Sequence, residues 1–147
     1  MKTLLKSVGA TLLIGASLVA ATAQRSGAIG PVPAIPANTL LRIIRAEDER
    51  RWDDNLRVLL GDKEAPVRKR AALAIGRIGD ERAVGPLLDA LKAESDPDVR
   101  QMIAFAIGEI ESPAGADALI DLLADTKEPG EVRARAVEAL GKIGQFY

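Results

Sequence analysis

The 147-residue sequence contains neither cysteine nor histidine, and only four of its side chains are aromatic. These absences exclude thiol nucleophiles, histidine general bases, Ser-His-Asp triads, zinc sites built from His or Cys, and disulfides. Neither charge sign is in clear excess, with 20 basic and 21 acidic residues, so nothing in the balance attracts nucleic acid. We therefore expect a non-enzymatic protein with no cofactor, no metal and no nucleic-acid partner.

The first 23 residues have the pattern of a secretory signal peptide. Lys2 and Lys6 precede an uncharged, mostly apolar run, and Ala21 and Ala23 supply small residues before a cleavage site. The run is short for a membrane span and rich in Ala, Gly and Ser, which favours cleavage after Ala23 over a retained anchor. Cleavage removes two lysines and no acidic residue, changing the net charge from −1 to −3. The prediction is a periplasmic or secreted protein with no stable membrane insertion after cleavage.

Residues 24–37 are predicted to form a proline-rich linker. Pro31, Pro33 and Pro36 forbid a helix here and favour extended polyproline geometry. The alternative is a recognition peptide for an aromatic groove, but a spacer after a signal peptide is the commoner use.

Beyond residue 37 the sequence repeats itself. Residues 66–92 and 98–124 share ten identities in 27 positions, and residues 67–79 and 132–144 share eight in 13. A period of 32 to 33 residues predicts stacked helical units that share one core. The repeat domain is predicted over 38–147, with a degenerate first repeat at 38–64, full repeats at 65–95 and 96–128, and a half repeat at 129–147.

Each unit is predicted to contain two helices, because its apolar residues fall into two stripes at helical spacing. Asp96 and Pro97 form a helix start, and Gly79 lies where a helix ends. Glycine is unfavourable inside a helix, so the glycines within the first helices predict close helix contact. The positions that recur in the three clearest copies are Val67, Arg68 and Gly76, then Val99, Arg100 and Gly108, then Val132, Arg133 and Gly141.

The string Val-Arg-x-x-Ala-Ala-x-Ala-Ile-Gly-x-Ile-Gly at 67–79, followed by Asp-Glu-Arg-Ala-Val-x-Pro-Leu-Leu at 80–88, resembles the bacterial HEAT-like repeat first described in phycobilisome lyases. The resemblance covers 66–144 well and 38–62 more loosely. It implies an all-α, right-handed α-solenoid of stacked antiparallel helix pairs, with about three and a half repeats. It also implies first helices on the convex side, second helices on the concave side, and a role in holding other proteins.

The candidate partner-binding face lies on the second helices. Asp89 and Asp121 occupy equivalent positions there, one repeat beyond Arg57, and Asp117 and Asp125 lie one helical turn either side of Asp121. This acidic column is either a solvated face with interleaved ion pairs or a surface for a basic partner, while a metal or catalytic role is the weakest reading. Trp52, which aligns with Val84, is either an apolar filler of the first unit or an exposed anchor for a partner.

A basic column of Arg68, Arg100 and Arg133 lies at the start of the first helices. We expect each arginine to reach a neighbouring loop carboxylate such as Asp96 or Asp98, and the alternative is an anion or DNA site. The third unit also carries Glu111-Ser112-Pro113-Ala114 in the turn where the second has Gly79-Asp80-Glu81-Arg82, so the charge pattern of that turn is not kept.

The leading functional hypothesis is an exported scaffold or adaptor that binds another protein. The alternative is that the chain is the N-terminal repeat region of an exported folding factor. Residues 41–53 resemble the N-terminal region of bacterial proteins in which HEAT-like repeats precede a cyclophilin-type prolyl isomerase domain. No residues of that isomerase domain are present in this sequence. A bilin lyase-like accessory role ranks third. The repeat array ends on a first helix, which leaves three alternatives: Phe146 and Tyr147 cover it, a longer natural chain does, or the chain self-associates through it.

Overall fold

A computed structural model describes residues 34–144. The predicted signal peptide, most of the predicted linker, Phe146 and Tyr147 lie outside the described residues. The described part contains seven α-helices and no strand. They are α1 (Ala37–Asp48), α2 (Asp54–Leu59), α3 (Ala65–Ile78), α4 (Val84–Ala93), α5 (Pro97–Ile110), α6 (Ala116–Ala124) and α7 (Gly130–Gly144).

The helices stack in two layers, which confirms an all-α, HEAT-like solenoid. The first helices α1, α3, α5 and α7 contact one another in sequence, and the second helices α2, α4 and α6 each pack against the first helix of the following unit. Both apolar stripes face the core between the layers, which runs from Ile43 to Ile143. None of the helices in the described part is long and apolar enough to cross a bilayer.

Local sequence sets the helix boundaries. Asp96 begins α5 by accepting hydrogen bonds from the backbone N–H of Asp98 and Val99, and Pro97 fills the first turn, where its missing donor costs nothing. Gly79 ends α3 in a left-handed conformation, with φ of 72°. At the equivalent position α5 ends on Glu111, also left-handed, with φ of 59°.

The two turns between first and second helices have the same geometry despite their different charges. Asp80 accepts from the backbone N–H of Arg82, and Ser112 accepts from that of Ala114. Each then opens a single 3₁₀ turn that leads into the second helix. The altered charge pattern therefore leaves the backbone unchanged, because a short side-chain acceptor is all that this turn requires.

The sequence predicts close helix contact at three glycines of the first helices. The structure confirms it at Gly76 and Gly108, but at Gly141 an added Cβ would meet nothing within 4 Å. A Cβ added to Gly76 would lie 2.8 Å from the Ala106 Cα, and one added to Gly108 would lie 2.7 Å from the Ala139 Cα. The equivalent residue of α1 is Ile44, which is 38% exposed, and α1 contacts α3 less extensively than α3 contacts α5. Replacing the glycine by isoleucine thus accompanies a looser first interface.

Candidate functional site

The second helices form a surface with two open grooves. The groove between α2 and α4 has a volume of about 540 Å³ and is lined by Arg57, Pro86, Asp89 and Glu94 among others. The groove between α4 and α6 has a volume of about 250 Å³ and includes Lys92, Asp121 and Asp125. The structure therefore places Arg57 and Asp89 in one groove and Asp121 and Asp125 in the next.

The four aspartates that the sequence predicts for this surface carry no ion pairs within residues 34–144. Asp89, Asp117, Asp121 and Asp125 are all exposed, and within residues 34–144 none of them forms a salt bridge, so the expectation of interleaved ion pairs is wrong. Asp125 accepts a hydrogen bond of 2.9 Å from the backbone N–H of Lys127. We call Asp89, Asp117, Asp121 and Asp125 the acidic column.

Arg57 does not neutralise the acidic column. Its Nε lies 3.1 Å from Asp54 Oδ1 on the same helix, with both side chains largely exposed. Such a surface pair contributes little to stability. Arg57 therefore lines the same groove as Asp89 but forms its ion pair with Asp54, on its own helix.

Trp52 lies in the loop before α2 and is half-buried against the hydrophobic core. The next residue, Asp53, begins α2 by accepting from the backbone N–H of Leu56. The geometry matches an apolar filler of the first unit, not an anchor projecting into solvent.

Arg68 forms hydrogen bonds to two loops, the one at the end of its own unit and the one at the end of the preceding unit. Its Nε and one terminal nitrogen donate to both carboxylate oxygens of Glu94, at 2.6 and 2.9 Å. The other terminal nitrogen donates to the carbonyls of Asp62 and Lys63. Because the guanidinium is planar, this bidentate pair fixes the orientation of both side chains.

Arg100 repeats this arrangement one unit later. It pairs with Glu128 and donates to the carbonyls of Leu91 and Glu94, at 2.7 and 2.9 Å. The prediction that each arginine reaches a loop carboxylate is confirmed for Arg68 and Arg100, but the carboxylates are those of Glu94 and Glu128 and not of Asp96 or Asp98. Asp96 is occupied in capping α5, and Asp98 pairs with Lys69 at 3.0 Å.

Arg68 lowers the pKa of the carboxyl that it binds. Burial tends to raise the pKa of Glu94, but the hydrogen bonds from Arg68 and from the backbone N–H of Asp96 outweigh it and hold that pKa below its ordinary value. Burial of Glu47 is likewise outweighed by Arg77 and Arg70, so the Glu47 pKa is also lowered. The guanidinium groups of Arg68 and Arg100 already donate hydrogen bonds to carboxylates and backbone carbonyls. These bonds argue against an anion or DNA site at the two arginines.

Arg133 differs from its two counterparts. Its Nε donates to the Leu123 carbonyl at 2.9 Å, but within residues 34–144 no carboxylate reaches it. Two other cations of α7, Arg135 and Lys142, place their charged groups 5.5 and 5.2 Å from the centroid of the Phe105 ring. This cation–π contact was not predicted from the sequence, because Phe105 occupies the repeat position that Leu73 has in the preceding unit and so resembles an ordinary apolar residue.

Two further residues escaped the sequence analysis. Ile120 of α6 and Val137 of α7 are 51% and 54% exposed, although both fit the apolar repeat pattern. Little in the sequence indicates this exposure, because Val137 differs from Ala72 and Ala104 of the earlier units only in being a larger apolar residue.

No group of three or more acidic side chains in residues 34–144 is arranged to hold a metal ion. A family model described as HEAT repeats matches residues 84–145, and a model described as PBS lyase HEAT-like repeat matches residues 67–93. A search of curated proteins found no match to the chain. The two matching models agree with the stacked helix pairs and with the glycine-mediated contacts between them. The chain is a HEAT-like repeat protein.

Proposed function

We propose that this protein is a non-enzymatic scaffold that binds a basic segment of another protein along its second helices. The observation that carries the proposal is the difference between the two helix layers. Arg68, Arg70 and Arg100 of the first layer are paired with carboxylates, whereas the acidic column of the second layer has no ion-pair partner within residues 34–144. The absence of Cys and His from the whole sequence supports the non-enzymatic role.

The unpaired acids suit the capture of a basic partner. Exposed carboxylates raise the rate of encounter with a cationic chain and reject acidic ones. The grooves beside Asp89 and Asp121 add apolar walls, including Pro86, Ala90 and Leu88. An extended or helical segment with lysines or arginines at intervals would use both features.

The test is a peptide-binding experiment on charge-neutralised variants of the full chain. A library of basic 15-residue peptides is screened by fluorescence anisotropy, and the best binder is titrated against Asp89→Asn/Asp121→Asn/Asp125→Asn. We expect binding at least about tenfold weaker, and weaker binding of the original chain at higher salt.

The matched control neutralises three exposed acids elsewhere, in Asp48→Asn/Glu111→Gln/Glu131→Gln. It makes the same change in net charge, so binding should stay within about twofold of the original. Equal losses in both triple variants would reduce the effect to net charge, and no loss in either would remove the acidic column from the function.

We also propose that the protein is exported, on the strength of the signal-peptide pattern in residues 1–23. Intact mass spectrometry of protein from the native cell envelope tests this. We expect an N-terminus at Gln24. Recovery from the cytoplasm with Met1 to Ala23 still attached would overturn the export proposal and leave the binding proposal untouched.

A further inference from the structure

The two grooves of the second-helix surface lie at the same place in successive repeats. Residues that line the groove between α2 and α4 have counterparts 32 positions later in the groove between α4 and α6. These pairs are Arg68 and Arg100, Pro86 and Ala118, Asp89 and Asp121, and Ala90 and Leu122. The surface therefore offers one binding position per repeat, at a regular step along the array.

Asp89 and Asp121 are the available acceptors of these two positions. Both side chains are exposed, and within residues 34–144 neither carboxylate forms a salt bridge or accepts a hydrogen bond. The ion pair of Arg68 with Glu94 at the end of one groove, and its counterpart in the other groove, is already formed. A ligand that enters either groove therefore meets an aspartate whose hydrogen-bonding capacity is still available.

The walls of the grooves suit the aliphatic part of a long basic side chain. Pro86 and Ala90 line the groove of Asp89, and Leu88 and Leu122 line the other groove. The groove volumes of about 540 and 250 Å³ leave room for a lysine or arginine side chain in each. Such a side chain packs its methylene groups against apolar walls while its charged end stays at the exposed carboxylate. Each groove is therefore suited to one cationic side chain.

The distance between the grooves selects the backbone geometry of the occupant. Packed helices lie about 8–10 Å apart, and the grooves put the second helices at the upper end of this range. Three residues of polyproline geometry advance about 9 Å and complete one turn, so every third side chain points to the same face. An α-helix with its side chains is about 10–12 Å wide, so it would rest on the exposed side chains of α4 instead of entering the grooves on both sides of it. An extended segment in polyproline geometry fits both grooves.

Arg57 gives the row of groove charges a direction. It occupies the repeat position of Asp89 one unit earlier, and it lines the same groove. Its pair with Asp54 joins two largely exposed side chains and contributes little. The charges at this repeat position therefore run positive, negative, negative from α2 to α4 to α6. A third cation on the ligand would be repelled at Arg57, whereas a carboxylate would be attracted there.

We propose that the second helices bind the partner through a segment in polyproline geometry that carries two cations three residues apart, one in each groove. A carboxylate of the same segment, three residues from the cation at Asp89 and on the side away from the other cation, pairs with Arg57. This inference rests on the proposed function, and it adds the backbone geometry, the spacing and the charge order of the partner segment.

Fluorescence anisotropy with labelled peptides of equal length and the full chain tests the spacing. Each peptide carries one glutamate and two lysines in an Ala-Pro background, with the charged residues two, three or four positions apart, and each is compared with its reversed sequence. A helical, alanine-rich peptide with a seven-residue spacing completes the set. We expect the three-residue spacing, in one of its two directions, to bind at least about fivefold more tightly than every other spacing. Equal affinities for all spacings, or tightest binding by the helical peptide, would overturn the inference.

Double-mutant cycles test whether each lysine of the peptide lies in its own groove. Asp89→Asn should weaken binding about fivefold and should couple to replacement of the lysine nearer the glutamate by glutamine. Asp121→Asn should couple in the same way to replacement of the other lysine, and the crossed combinations should be additive. Equal coupling of both aspartates to both lysines would show that the peptide has no fixed register, which would overturn the inference.

A charge exchange at Arg57 tests the charge order. Arg57→Glu should weaken binding of the three-residue-spaced peptide at least about fivefold, and a peptide with lysine in place of its glutamate should restore the affinity. Arg82→Glu is the matched control, because Arg82 is also an exposed arginine paired with an aspartate close to it in sequence, and it should bind as the original does. Equal losses in the two variants, or no restoration by the lysine peptide, would overturn the inference.

The triple variant Asp89→Asn/Asp121→Asn/Asp125→Asn separates this inference from the proposed function. If all spacings bind equally and the triple variant still loses binding, the acidic column keeps its role and the proposed spacing is wrong. If no peptide binds the original chain, the proposed function is wrong as well.

Discussion

Ala106 of α5 rests directly on the backbone of Gly76 in α3, so closely that a Cβ on the glycine would lie 2.8 Å from the Ala106 Cα. Ala139 stands in the same relation to Gly108 one unit later. Because the obstructing atoms belong to the backbone of a packed helix, no side-chain rotation can relieve the collision. The glycine thus sets the distance between repeats.

This relationship predicts opposite effects for the same substitution at equivalent positions. Gly108→Ala should destabilise the protein by about 1–3 kcal/mol through overpacking. Gly141→Ala should stabilise it by about 0.5–1 kcal/mol, because alanine is the better helix former and the site is open. Urea unfolding of the three proteins measures both values, and changes of the same sign would contradict the packing explanation.

The buried pair of Arg68 and Glu94 predicts a large effect of a small change. Glu94→Gln leaves the Arg68 guanidinium, 17% exposed, without its counter-charge and should cost about 2 kcal/mol at neutral pH. Glu111→Gln alters an exposed carboxylate of the same type and should change stability by less than about 0.5 kcal/mol. Similar losses in the two variants would show that the ion pair is not the cause.

The lowered pKa values of Glu94 and Glu47 predict acid sensitivity. Each carboxyl is a stronger acid in the folded chain than its ordinary value of 4.5, so the unfolded chain takes up protons first as the pH falls. The stability that these groups contribute is fully present above pH 4.5 and is lost as the pH drops through their folded pKa values. We expect the urea concentration at the unfolding midpoint, measured from pH 7 to pH 3, to decrease once the pH is below 4.5. The decrease should be less steep in Glu94→Gln.

Glu111 offers a site for stabilisation. It ends α5 with a φ of 59°, where α3 ends on Gly79 with a φ of 72°. Only glycine adopts this conformation without steric cost, so Glu111→Gly should stabilise the protein by about 1 kcal/mol. Thermal unfolding gives the measurement, and a melting temperature at or below the original would show that the left-handed turn carries no strain.

Much of the fold follows from local patterns. Asp, Pro and Gly each favour one local backbone arrangement. These residue types therefore predict the start of α5 at Asp96 and Pro97, the end of α3 at Gly79 and the close helix contact at Gly76. The first unit was harder to foresee. Leu41 matches Leu73 of the next unit, yet it is 67% exposed. Ile44 departs from the repeat, because it stands where later units have the contact glycine, and it is 38% exposed.

The candidate site was less predictable than the fold. The acidic column and its place on the second helices follow from repeat spacing, but its lack of ion pairs does not. Whether Asp121 meets a cation depends on where long side chains from other units point. Lys69 binds Asp98 across the units, and Lys92 lies in the groove of Asp121 without forming a salt bridge to it.

The sequence by itself determined the helix pairs, their period and the glycines that let them stack, because these depend on residues close together along the chain. Only the tertiary structure decided that Arg68 and Arg100 bind Glu94 and Glu128, since residues 26 and 28 positions apart meet through the packing of intervening helices. It also decided that Gly141 and Val137 are exposed while Gly108 and Ala104 are buried. Identical local patterns acquire different surroundings when a neighbouring helix covers one and not the other.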